Sequence, residues 1–434
     1  MPEMLCGQTM KRWCALVVML AIASSKYVEG KERDASTSEA AYAKSLIALL
    51  ERSRNVHDLH FDAEHHEIVG GDGTHIWITN MYAEWLALPA DQRDRALQRV
   101  ARVILMSSKD DSADEPLNLV RNRLLPAVRA SFYFASMDLL ASGGTGKPPP
   151  ALPHSSLGNA AAVGIGIDSK DTIRLVSTKD VDKWNVPFEA LEQIAIGNLR
   201  KQGASFEQLE PGVWAARTKD TYAAARVLLV DEIRKLGLAG GAVALIPNRD
   251  LLLLAGAKDS KALLAIAGRA EVAAEEPRRI HTIALCLHDA RWTDCIPDAT
   301  PQVRARFREL ALRSWGMLYE EQKKPLQEKL GDQVFVGSLS VVKNEETGEI
   351  ASYATWAKGV PTMLPRAEVV VFVGVAGNDE PKVLGMVPWD RVIAVCGPHL
   401  KPDGGTPERW ATGDWFPSEA DLARMSPTHT LFTR

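Results

Sequence analysis

The 434-residue chain predicts an α+β fold in two domains, the first with a mainly antiparallel sheet built from β-β-α units, the second a smaller α+β domain. Three observations carry that expectation. The length exceeds what a single hydrophobic core usually serves. Hydrophobic residues at 46% and charged residues at 24% are ordinary globular values. Between residues 160 and 270 a strand-strand-helix pattern recurs three times, and such units favour antiparallel pairing under helices.

In chain order, the first structural signal is an address. Residues 10–25, MKRWCALVVMLAIASS, set Lys11 and Arg12 before a short apolar run and then small residues that permit cleavage after Ala23 or Ser25. Residues 1–25 therefore read as a signal peptide, and the expected destination is periplasmic or secreted. The apolar run is shorter than the ~20 residues needed to cross a bilayer, so no membrane span is expected after cleavage. Of the five cysteines, cleavage leaves Cys286, Cys295 and Cys396. An exported chain can join Cys286 to Cys295, but three thiols cannot all pair and a chain of this size needs no staple, so buried free thiols are the expectation.

Residues 36–53 carry apolar positions at helical spacing behind capping residues, and 91–106 read as another amphipathic helix. Residues 56–82 read as short extended segments around Gly70, Gly71 and Gly73. The Gly- and Pro-rich stretch 141–156 reads as a loop. The first β-β-α unit is AAVGIGID and TIRLVST followed by PFEALEQIAIGNLRKQG, with Pro187 at the head and Gly203 at the tail. The second is SFEQL and VWAAR, turning at Pro211-Gly212, followed by a helix over 220–236 with Asp220 as N-cap. In the third, AVALI and LLLLAG flank the tetrad Pro247-Asn248-Arg249-Asp250, where Pro and Asn suit the second and third positions of a turn, and a helix follows over 259–270. A first domain over 36–274 results. The charged stretch 271–281 reads as a boundary, leaving a second domain at 281–434 with a strand, a helix over 300–330, a hairpin over 332–357, a buried strand at 367–375 and a short last helix.

The segments GNLRK, DTYAAARVLLVDEIRKL and ALIPNRDLLLLAG, preceded by NMY and LLPAVR, resemble the YtpQ-like family of bacterial proteins, domain of unknown function 1444. The resemblance covers roughly residues 38–270 and is densest over 218–256, as Asp-x-Tyr-x3-Arg followed by Pro-x-Arg-Asp. It implies fold and kinship, since the family has no established reaction to lend. The secretion signal and the second domain depart from single-domain cytosolic relatives.

A net charge of −4 without a long Lys/Arg run lacks the footprint of phosphate-backbone binding, so nucleic acid is not an expected partner. Other signatures fail on inspection. In GGTGKP, residues 143–148, Lys147 precedes Pro148 where a phosphate loop needs Ser or Thr. Ser142, Ser155 and Ser156 lie in no nucleophile elbow. His57, His60, His65, His66 and His75 invite a metal site, but on a strand His57 and His60 point oppositely, as do His65 and His66, so neither a metal nor any other cofactor is expected. Trp356 and Trp389 sit beside apolar residues and read as core, whereas Trp410 and Trp415 lie among turn residues and read as surface anchors for a partner.

What remains is polar: Asp220, Tyr222 and Arg226 on the expected helix, with Asn248, Arg249 and Asp250 at the hairpin. Two arginines and two carboxylates can bind an anion or run acid-base chemistry, with Asp220, Arg226, Arg249 and Asp250 catalytic and Tyr222 and Asn248 binding. They can equally form a structural ion pair that fastens helix to hairpin, and structural pairs are the commoner case. The leading expectation is thus an exported bacterial protein that binds a protein or cell-envelope partner without catalysis. The other is a hydrolase-like enzyme built on the Asp/Arg cluster, and whether the chain is an enzyme stays open.

Overall fold

Local sequence signals place the elements, and long-range pairing groups them. In the computed structural model, residues 37–52, 57–71, 74–107, 115–136, 151–169, 172–218, 220–375 and 380–432 are described. The expected signal segment 1–25 and residues 141–150 of the expected loop lie outside them. The fold is α+β with several antiparallel sheets, as the sequence predicts. The chain divides into two compact units, residues 31–307 and 308–434.

The first unit opens with helix α1 (Glu39–Leu50), capped by the Ser38 side chain and burying Tyr42, Ala43, Leu46 and Leu50 along one stripe. Strands β1 (His60–Asp62), β2 (Glu67–Val69) and β3 (His75–Trp77) form an antiparallel meander, and helices α2 (Thr79–Ala87) and α3 (Ala90–Ser107) follow. Ile68 and Ile76 of the meander meet Tyr42, Leu46 and Leu97 in one core. Strands β4 (Leu124–Ala130), β5 (Ser155–Leu157), β6 (Ala161–Asp168) and β7 (Ile173–Leu175) make a second antiparallel sheet around β6. Helix α4 (Thr178–Trp184), closed by a Ser177/Asp180 capping box, precedes α5 (Phe188–Gln202), whose expected first residue Pro187 sits one place earlier, at the N-cap.

The remaining strands of this unit are β8 (Phe206–Glu210), β9 (Val213–Ala216), β10 (Ala242–Asn248), β11 (Leu251–Gly256), β12 (Ala284–His288) and β13 (Arg291–Cys295). They pair antiparallel in the order β13-β12-β10-β11-β9-β8. Between β9 and β10 stands helix α6 (Val230–Arg234), and after β11 comes α7 (Ser260–Ala273), capped by Asp259. The three expected repeats therefore feed two sheets rather than one.

The boundary expected at 271–281 moves downstream. β12 pairs with β10 through Val243 opposite Cys286 and Ala244 opposite Leu285, and Leu285 lies in the same core as Leu254 and Ile246. An open edge on β10 thus recruits a strand that the sequence assigned to the next domain. The division falls between Phe307 and Arg308, inside helix α8 (Pro301–Leu330). The disulfide Cys286–Cys295 joins β12 to β13, correcting the expectation of free thiols; Cys396 alone of the three stays a buried thiol. Cys286 stands opposite Thr293 and Cys295 opposite Ala284, so the two cysteines are diagonal across a tight hairpin, with Cα atoms 5.8 Å apart.

In the second unit β14 (Phe335–Val336), β15 (Ser340–Lys343), β16 (Ile350–Ala357), β17 (Thr362–Pro365), β18 (Val369–Val375) and β19 (Pro381–Pro388) precede helix α9 (Trp389–Cys396). After it come β20 (Lys401–Pro402), β21 (Arg409–Ala411) and helix α10 (Glu419–Arg424). The expected hairpin is β15-β16, extended by a parallel β18 and then β19. Phe335 and Val336, expected in that hairpin, belong instead to the sheet β14-β17-β21-β20. Trp356 and Phe372 are fully buried in one core and Trp389 is nearly so. Among the described residues no helix is long and apolar enough to cross a membrane.

Candidate functional site

The tetrad 247–250 forms the β10-β11 corner, but displaced from the expected turn positions. Asn248 pairs with Leu251, so Arg249 and Asp250 are the corner residues. Pro247 lies inside β10 where the register shifts, a place that tolerates a residue without an N–H. Asn248, 1% exposed, is the buckle: its Nδ2 donates to the Ala273 carbonyl (2.8 Å) and Glu276 Oε2 (3.0 Å), and its Oδ1 accepts the Asp250 N–H (3.0 Å). The backbone of Arg249 donates to the Arg278 carbonyl and accepts from the Ala224 N–H, both at 3.1 Å.

That last bond bears on the expected 220–236 helix, which does not form as one element. Residues Ala224–Leu228 are a 3-10 turn, Leu229 leaves helical geometry at φ −84 and ψ 58, and α6 is a separate short helix. Asp220 does not cap a helix. Its Oδ1 accepts the Tyr222 N–H at 3.0 Å and the Thr218 hydroxyl, a local arrangement that competes with helix initiation. The Val227 carbonyl, meanwhile, accepts from the Trp292 indole at 2.9 Å.

Arg226, 1% exposed, turns its guanidinium inward. Nη2 donates to Asp220 Oδ2 at 2.6 Å, Nη1 to Asp220 Oδ1 (3.3 Å) and Thr218 Oγ1 (3.2 Å), and Nε to the Gly203 carbonyl (3.3 Å). Burial opposes ionisation of Asp220, but hydrogen bonds from Arg226, Thr218 and the Tyr222 N–H outweigh it and hold the carboxyl below its ordinary range. The Tyr222 hydroxyl points away from that pair; it donates to Asp168 Oδ1 at 3.0 Å, and burial followed by the Asp168 charge raises its pKa.

Arg249 and Asp250 stand apart from that pair. The Arg249 side chain is 12% exposed and its Nε lies 3.9 Å from Asp250 Oδ1, buried without a hydrogen-bond partner among the described residues. Burial, then the charge of Glu84, raises the Asp250 carboxyl, partly offset by Arg129. Arg278 clasps Glu84 with two nitrogens, the Nη2 to Oε2 distance being 2.9 Å. Arg129, Arg278 and Glu84 are members of this network that sequence spacing missed, since they lie far from the motif. Asp220, Asp250 and Glu84 each have an arginine in reach, Arg226, Arg249 and Arg278, the arrangement of a brace.

Compared with family models, curated proteins and solved structures, the chain matches none. The kinship expected from the 218–256 motifs therefore rests on those motifs alone.

Trp410 and Trp415, expected at the surface, are half-buried: Trp410 meets Trp389 edge-on at 5.9 Å, and Trp415 packs on Trp356 at 5.9 Å and stacks on His399 at 4.0 Å. Both extend the aromatic core instead of standing clear of it.

The histidines fall differently from their expected alternation. His65 and His66 occupy the four-residue turn between β1 and β2, so strand parity does not govern them. His66 Nδ1 lies 2.8 Å from Glu39 Oε2, and His57 precedes β1. Within the meander Phe61, Ile68 and Ile76 turn to the core, which puts His60, Asp62, Glu67 and His75 on the other face. There, donor atoms of Asp62, His65 and Glu67 lie within 4.8 Å of one another. The two carboxylates are what sequence reasoning missed; cross-strand pairing of Asp62 with Glu67 decides their proximity.

Proposed function

We propose that this chain is an exported protein that acts by binding a protein or cell-envelope partner, not by catalysis. The observation that carries this reading is the closure of Asp220 on Arg226: all three guanidinium nitrogens donate internally and the side chain is 1% exposed. Four of its five N–H groups are so engaged, and burial keeps the guanidinium from a substrate. The Cys286–Cys295 disulfide supports an oxidising compartment, where such bonds persist. The acidic net charge of −4 disfavours nucleic acid as the partner.

A hydrolase-like reading keeps one observation in its favour, the raised carboxyl of Asp250 beside the buried Arg249 Nε. Incubating the purified full chain with ester, phosphoester and glycoside substrates separates the two. Binding without catalysis gives no turnover above buffer. Turnover abolished by Asp250→Asn and Arg249→Ala, with melting unchanged, would replace it with an enzyme.

A further inference from the structure

We infer that the outer face of the β1-β2-β3 meander is a divalent transition-metal site, with Asp62, His65 and Glu67 as ligands and zinc as the reference ion. One donor atom from each of the three lies within 4.8 Å of the others. Zinc bonds of about 2.0–2.1 Å put tetrahedral ligand atoms about 3.3 Å apart, a closure that side-chain rotation supplies. The chemistry fits the charge as well as the distance. One neutral imidazole nitrogen and two carboxylates balance a dication, and imidazole selects zinc-like ions over magnesium or calcium, which take oxygen ligands.

The hairpin presets the ligands. Asp62 Oδ1 accepts the N–H groups of Glu64 (2.9 Å) and His65 (3.1 Å), which turns Oδ2 toward His65 Nδ1 at 2.6 Å. Glu67 stands opposite Asp62 in register, on the same face. Glu67 is 7% exposed on a face where Asp62 is half-buried and His60 and His75 are exposed. His75 Nδ1 meets Glu67 Oε2 at 3.0 Å and fixes that carboxylate from outside, the outer partner that metal ligands characteristically have. A buried carboxylate beside a second carboxylate and two imidazoles offers one cation both oxygen and nitrogen donors.

The test uses untagged full-length protein, stripped with chelator and titrated calorimetrically with zinc chloride, with magnesium chloride as the comparison. Expected are about one equivalent of zinc and no saturable magnesium binding. His65→Ala and Asp62→Asn, at half-exposed positions, should each weaken zinc at least tenfold while metal-free melting stays unchanged, and His154→Ala should bind as wild type. Absence of saturable zinc binding, or undiminished affinity in both variants, overturns the site.

Discussion

Arg409 illustrates what a single buried charge does in this molecule. It is fully buried, and its guanidinium donates to Gln322 Oε1 (2.6 Å) and to the carbonyls of Gly337 (2.5 Å), Met363 (3.2 Å) and Tyr319 (2.9 Å) while stacking over the Tyr319 ring. Burial pulls its pKa down to about 10, so it stays charged at neutral pH. Because the planar fork serves four acceptors at once, Arg409→Lys is not conservative: chemical denaturation should show a loss of about 3 kcal/mol. His281 works in the opposite sense. Its ring is buried, Nδ1 accepts the Ile283 N–H at 3.1 Å, and burial lowers its pKa from 6.5 to about 4. The folded protein keeps it neutral while the unfolded chain takes up a proton near pH 6.5, so its contribution is whole above that pH. As the pH falls toward 4, it is lost progressively, by about 3 kcal/mol. Stability measured against pH should show that decline, and His281→Asn, which retains an acceptor for Ile283, should flatten it.

At the level of elements, what was legible in the sequence was what neighbours in sequence decide. Helices α1 and α7 carry their own side-chain caps, α5 is bounded by Pro187 and Gly203, and each forms close to where its residues place it. The 220–236 segment fails as a helix because the Ala224 N–H goes to the Arg249 carbonyl, a partner no local pattern reveals. The Asp220–Arg226 contact survives that failure, since six residues of 3-10 and turn geometry still bring the two side chains together. The share of Arg129, Glu84 and Arg278 in the network, and of Asp62 and Glu67 beside the histidines, was hidden because sheet register and tertiary contacts create it. Two elements give direct tests. Asn248→Ala removes the buckle of the β10-β11 corner and should cost about 2 kcal/mol, read from urea unfolding. Reducing Cys286–Cys295 frees a short loop in the unfolded chain and should cost about 2–3 kcal/mol, read the same way with and without reductant.

For the molecule as a whole, a division into two compact units accords with the length, but the place of that division was not legible. The charged stretch at 271–281 looks like a linker, yet β12 and β13 beyond it complete the six-stranded sheet, so the division falls at Phe307/Arg308. The disulfide lies in that late-joining hairpin and ties compartment to fold: export, as proposed, supplies the conditions in which Cys286 and Cys295 stay joined. The central claim is that the Asp/Arg cluster braces the 31–307 unit instead of serving a reaction. Differential scanning calorimetry of the full chain carrying Asp220→Asn tests it most directly, because the substitution leaves the buried Arg226 without its charge partner. The brace predicts that one unfolding transition falls by roughly 5–10 °C, from a loss of about 3 kcal/mol, while the other stays in place. A thermogram indistinguishable from wild type would contradict it.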